Sequence, residues 1–163
     1  MHEIVSCTTR PRREYEIDGI NYYFYTVEQF TKKVLNNEML EATEFNGWFY
    51  GTSLDSLSLT DINVGVFNPD GISAMYDRND IDLRIYYITA SDKTRLLRQL
   101  NREDFPNVDE IIRRYETDRK DFLTVDDEFD PKHIGNDNGN SIMIQANKIL
   151  RDCADWLDEA IPV

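Results

Sequence analysis

Apolar residues in this chain recur with two periods, and the two alternate from end to end. That alternation constrains the fold more than any other feature. A period of two suits a strand with one buried face, and a period of 3.6 suits an amphipathic helix. Strands are predicted at 2–6, 22–25, 39–45, 48–51, 64–67, 83–89 and 132–136. Helices are predicted at 27–35, from a Ser53 cap to 59, from Pro69 onward, from Ser91 or Asp92 to 100, at 109–122 and from Ser141 to about 160. Strands interleaved with helices imply an α/β fold with a mostly parallel sheet. The short strands between 22 and 51, turned by Asn46-Gly47, read as an inserted antiparallel piece.

Size and charge narrow the options. With 163 residues, 40% of them hydrophobic, the chain is long enough for one domain with an apolar core. A net charge of −13 argues against general nucleic-acid binding, since phosphate backbones are repelled. No stretch has the length and apolarity of a membrane span, and no signal-peptide pattern opens the chain. Two cysteines and two histidines give neither a disulfide framework nor a metal spacing, so a reduced, cytoplasmic setting is expected. Nothing in the sequence sets an oligomeric state.

Against this acidic background, residues 6–13 gather Arg10, Arg12 and Arg13 with the hydroxyls of Ser6, Thr8 and Thr9. Guanidinium forks match phosphate oxygens bidentately and hydroxyls add hydrogen bonds beside them, so the stretch reads as an anion site. The alternative is a solvated basic turn. Glu41, Tyr50, Thr52 and Ser53 lie on or beside the predicted hairpin. A carboxylate there suits the N1 and N2 edge of guanine, and a tyrosine hydroxyl suits phosphate; an ordinary edge-strand glutamate is the plainer reading. Arg95, Arg98 and Arg102 share one helix face, and Arg113, Arg114 and Arg119 follow on the next helix. Two such helices suit closure over a polyphosphate, or else salt bridges to Glu110 and Asp118. Asn136-Asp137 follows a strand at a sheet edge of the kind where α/β folds bind ligands. His133 and Cys7 read as structural, and 126–128 as a solvated connection.

Together these pieces resemble the guanylate kinases. That family's S-x-T-T-R-x-x-R-x-x-E-x-x-G-x-x-Y pattern is met by Ser6, Thr8, Thr9, Arg10, Arg13, Glu16, Gly19 and Tyr22. Its E-x-x-x-x-x-G-x-x-Y-G-[ST] pattern is met by Glu41, Gly47, Tyr50, Gly51 and Thr52. The resemblance implies a three-layer, P-loop-kinase-like parallel sheet over 1–163, with a GMP-binding insertion at about 7–52 and a helical lid at about 91–122. It implies phosphoryl transfer from ATP, with Mg²⁺, to GMP, and no nucleic-acid or membrane partner. By the same resemblance Ser6, Arg10, Arg13, Tyr22 and Tyr50 hold the GMP phosphate, and Glu41 and Thr52 read guanine. Arg98, Arg102 and Arg114 correspond to the catalytic lid arginines, and Asn136 and Asp137 to the adenine side of ATP. No metal ligand is assigned.

Two departures stand out. The family's D-x-D-x-x-G is replaced by Val66-Phe67-Asn68-Pro69-Asp70-Gly71, so Asn68 occupies an acidic position beside guanine and cannot supply charge to Mg²⁺. No G-x-x-x-x-G-K-[ST] occurs in the 163 residues. The resemblance therefore implies a first strand and P-loop helix, about 30 residues, upstream of Met1. It also implies exposed apolar edges on the neighbouring strands, and either a truncated kinase or a non-catalytic module binding GMP or a phosphopeptide.

Overall fold

In the computed structural model, all residues are described except 46, 77, 103, 138–141 and 161–163. The chain divides into two compact units, Met1–Leu83 and Arg84–Val163.

The first unit is organised by a four-stranded sheet in the order β3-β2-β5-β4. Its strands are β2 (Cys7–Thr8), β3 (Tyr23–Phe24), β4 (Met39–Phe45) and β5 (Trp48–Ser53). β4 and β5 form the predicted antiparallel hairpin, with Glu41 opposite Thr52 and Thr43 opposite Tyr50. Gly47 takes φ 76°, which the turn requires and glycine supplies without strain; Asn46, its predicted partner in the turn, lies outside the described residues. β2 runs antiparallel to β5 but parallel to β3, so the insertion is mixed. Helix α1 (Val27–Leu35) opens on a capping box, in which the Thr26 hydroxyl accepts from Gln29 N–H and the Gln29 side chain accepts from Thr26 N–H. It buries Phe30, stacked on Phe49 at 5.6 Å. Phe30, Cys7, Leu40 and Met75 form the core of this unit.

The run predicted as one strand at 2–6 is divided. β1 (His2–Glu3) pairs parallel with β6 (Asn63–Val64), whereas Cys7 and Thr8, predicted as loop, join the four-stranded sheet. Their complete burial between β3 and β5 is a long-range effect that no local pattern announces. β6 ends at Val64, short of the predicted 64–67, and Val66 is 96% exposed rather than buried. Beyond Ser53 only a 3-10 turn forms, at Leu54–Ser56, instead of a helix to 59. The Ser53 hydroxyl, expected to cap that helix, donates to Asp55 instead. Helix α2 (Pro69–Tyr76) begins at Pro69 as predicted.

In the second unit, β7 (Tyr86–Thr89) and β8 (Lys132–Gly135) form a parallel pair. Parallel pairing thus occurs in both units, as β1–β6 and β2–β3 in the first and β7–β8 in the second. Helix α3 (Asp92–Leu100) is capped by Ser91, and α4 (Val108–Asp121) by Asn107. Residues 126–128, expected as a plain connection, lie in the short helix α5 (Val125–Phe129), whose end residues Val125 and Phe129 are buried. Helix α6 spans Ile142–Ala160; Ser141, its predicted start, lies outside the described residues. No helix among the described residues is long and apolar enough to cross a membrane.

Candidate functional site

The arginine-rich loop is ordered by one acid. Glu16 is only 5% exposed, and its carboxylate accepts from Arg10 Nη2–H at 2.7 Å, Arg10 Nη1–H at 3.0 Å and Arg13 N–H at 2.7 Å. The Arg10 guanidinium, foremost among these donors, holds the Glu16 carboxyl down at about 2, against an ordinary 4.5. Arg10 also donates to Pro11 O at 2.7 Å and lies over the rings of Tyr22 and Phe24, at 5.6 and 5.7 Å. The Tyr50 hydroxyl reaches the same guanidinium, and the rings of Tyr22 and Tyr50 meet edge to face at 6.2 Å. Arg13 is more exposed and donates to the Tyr15 hydroxyl at 3.3 Å. Ser6 precedes β2, its carbonyl accepting from Tyr23 N–H at 2.9 Å. Arg10, Tyr22 and Tyr50 are thus brought together, with Arg13 on the same loop and Ser6 at the other end of β2.

A lowered carboxyl pKa makes acid destabilising. Glu16 contributes stability that is in place above about pH 4.5 and lost as pH falls through its folded value near 2. The contribution is about 3 kcal/mol. Urea unfolding of the wild type and Glu16→Gln should therefore show a stability gap that closes between pH 4.5 and 2. A gap independent of pH would contradict this account.

A second cluster lies on the hairpin. Tyr50 and Thr52 alternate along β5 and so share one face, about 7 Å apart. Glu41, opposite Thr52, is 8% exposed, and burial pushes its carboxyl above the ordinary carboxylate range. The Thr52 hydroxyl pulls the other way without reaching hydrogen-bond geometry. Thr52 is fully buried, and its Oγ1 has no hydrogen-bond partner. An unpaired buried hydroxyl is costly, and a binding site is one reason for a protein to keep one. Asn68 closes this side. Its Oδ1 accepts from Gly71 N–H at 3.0 Å, capping α2. A Cβ on Gly71 would stand 3.1 Å from Asn68 Oδ1 and 3.5 Å from Glu41 Oε2, so glycine lets the helix start approach the carboxylate. Cys7 donates its thiol hydrogen to Gly51 O at 3.2 Å, and burial foremost, then Glu41, push its pKa up to about 12. Such a thiol packs rather than reacts.

The predicted residues of the second unit sit as follows. Arg98 on α3 donates to Asn136 O at 2.9 Å. Asp137 accepts from Ser91 N–H at 2.8 Å and from the Ser91 hydroxyl at 2.7 Å, and these bonds hold its carboxyl low. Arg114 donates to Glu110 at 2.6 Å, a carboxylate that Arg113 also engages. Arg95 lies 3.9 Å from Asp118. Arg102 lies just beyond α3 and is exposed. His133 lies 2.9 Å from Asp126. Among the described residues no group of three or more His, Cys, Asp or Glu is placed to hold a metal.

The sequence reading gave no role to Glu16, Phe24 or Gly71. Glu16 had a signal, an acid inside a cationic loop, but its pairing with Arg10 crosses six residues of irregular chain that no periodicity describes.

Residues 2–153 match the family model for guanylate kinase. The chain belongs to the guanylate kinase family. It is 27% identical over 160 residues to guanylate kinase of Brucella melitensis, a match covering 91% of this chain and 71% of that protein. It is 50% identical over 48 residues to guanylate kinase of Symbiobacterium thermophilum, covering 29% of this chain and 23% of that protein. The Symbiobacterium match thus spans under a quarter of that relative's length. Among solved structures, guanylate kinase from Anaplasma phagocytophilum superposes with a TM-score of 0.62 at 19% identity, covering 99% of this chain and 77% of that one. That likeness shows the mixed α/β fold of the guanylate kinases.

Proposed function

We propose that this chain carries the acceptor site of a guanylate kinase, which transfers a phosphoryl group from MgATP to the α-phosphate of GMP, giving GDP and ADP. The observation that best supports this reading is the buried Glu41–Thr52 pair on the same strand face as Tyr50. A carboxylate accepts from guanine N1–H and N2–H, and the unpartnered Thr52 hydroxyl gives the base a further contact. Arg10, Arg13, Tyr22, Tyr50 and Ser6 take the phosphate in this reading. Transfer of this kind rests on positioning and charge stabilisation, with no covalent intermediate. Arg98, Arg102 and Arg114 supply the donor-side cations and Asn136 and Asp137 the adenine contacts. The whole of 1–163 works as one domain in a reduced, cytoplasmic setting.

Magnesium enters as part of the MgATP substrate. Asn68 is neutral and its oxygen is engaged by Gly71 N–H, so it does not fit a metal-binding role. The lysine-bearing phosphate loop is not among these 163 residues, so in this reading Arg98, Arg102 and Arg114 are the contacts to the ATP phosphates that these residues supply. That same observation favours a second reading, a non-catalytic module binding GMP or a phosphopeptide. ADP release with GMP and MgATP, assayed on the longest natural reading frame, separates the two.

The acceptor site is tested by calorimetry. Arg13→Ala should weaken GMP about tenfold, the loss of one partly exposed charge-assisted contact. Unchanged affinity would count against the phosphate role.

A further inference from the structure

We infer that Glu16 is a positioning residue for the phosphate-binding arginines, presenting one edge of Arg10 to the anion by occupying the other. The inference rests on the GMP reading above. A guanidinium has five N–H donors in a rigid plane. Arg10 spends both Nη1 hydrogens, on Pro11 O and Glu16 Oε2, and one Nη2 hydrogen on Glu16 Oε1. These three bonds leave Nε–H and the second Nη2–H, two parallel donors on one edge of a guanidinium that the Tyr50 hydroxyl also approaches, the fork that grips two oxygens of a phosphate monoester. The rings of Tyr22 and Phe24 pack against the same guanidinium and limit its swing. Glu16 also accepts from Arg13 N–H, so a single carboxylate sets the place of both arginines. Although burial opposes its charge, the bonds from Arg10 and from Arg13 N–H hold its pKa low and keep it ionised at every pH where the nucleotide is a dianion.

This role opposes the simplest electrostatic expectation. An acid beside an anion site repels the anion, so its removal should tighten GMP binding if the field alone mattered. A positioning role predicts the reverse, and only for ligands that carry the phosphate.

The test is calorimetry of GMP and guanosine on the wild type, Glu16→Gln and Glu16→Asp, with circular dichroism to establish folding. Glu16→Gln should weaken GMP at least tenfold and leave guanosine within twofold. If Glu16→Gln does not fold, Glu16→Asp carries the comparison, with at least a threefold loss confined to GMP. GMP binding that is unchanged or tighter overturns the inference. Equal losses for GMP and guanosine also overturn it, since the carboxylate would then merely support the loop. If the wild type binds GMP no better than guanosine and Arg13→Ala changes nothing, the GMP reading itself falls and this inference with it.

Discussion

Replacing Gly51 by alanine is expected to destabilise the first unit by about 3 kcal/mol, the upper part of the range for overpacked cores. Gly51 is where three strands meet, paired with Cys7 of β2 on one side and Ala42 of β4 on the other. Its φ is not positive, so the demand is for space and not for conformation. A Cβ there would stand 2.6 Å from Glu41 O, 2.7 Å from Met39 Cε and 3.2 Å from Phe30 Cζ. The methionine end can swing away. Phe30 is stacked on Phe49, and the Glu41 carbonyl belongs to the β4 backbone, so neither yields cheaply. Urea unfolding at pH 7 should show a lower midpoint with an unchanged slope. A loss below 1 kcal/mol would mean that β4 relaxes freely, which a rigid Glu41 does not allow.

That constraint bears on what the sequence made legible. The Tyr50-Gly51-Thr52 triplet was visible as a motif, yet nothing local said that Gly51 is required by the approach of Glu41's own backbone. Helices announced themselves through chemistry that acts within one turn: the Ser91 cap and Pro69 at a first helical position. The hairpin was equally local, through Gly47 and the alternation on either side. Failures occurred where distant pairing or competing side chains decide. Cys7 and Thr8 became a strand because β3 and β5 flank them. After Ser53 only the 3-10 turn Leu54–Ser56 forms, with the Ser53 hydroxyl donating to Asp55 and making no cap. Helix α5 was hidden by its acids, although Val125 and Phe129 stand at i and i+4 and share one buried face.

The candidate site divides the same way. Residue types and spacing nominate Arg10, Tyr22, Glu41, Tyr50 and Thr52 as candidates, and the fold places them on one loop and one hairpin. What the spacing did not carry was the support behind them. Glu16 fixes the arginines, and the Gly71 start of α2 flanks Glu41. For Arg98 and Arg114 the sequence offered two readings, donor-side cations or local pairs. Both groups are engaged within their own unit, by Asn136 O and by Glu110.

Glu41→Gln is expected to lower the preference for GMP over AMP about 100-fold, with little change in AMP affinity itself. The wild-type carboxylate offers two acceptors to guanine's two donors, and each bond to a buried charge contributes about 1.5–3 kcal/mol. Glutamine keeps the shape but turns one acceptor into an N–H donor that faces a guanine donor. Adenine presents no such pair of donors on that edge, so AMP loses nothing comparable. The pH profile separates charge from shape. Burial raises the Glu41 carboxyl, so its ionised form, the one proposed to read guanine, is lost as pH falls through that raised value. Taking the GMP to AMP affinity ratio cancels the titration of the nucleotide phosphate, common to both. In the wild type the ratio should fall as acid protonates Glu41, at a higher pH than an ordinary carboxylate would require, and in Glu41→Gln it should be low and flat. Equal losses of GMP and AMP in the variant, or a wild-type ratio indifferent to pH, would move guanine recognition away from Glu41.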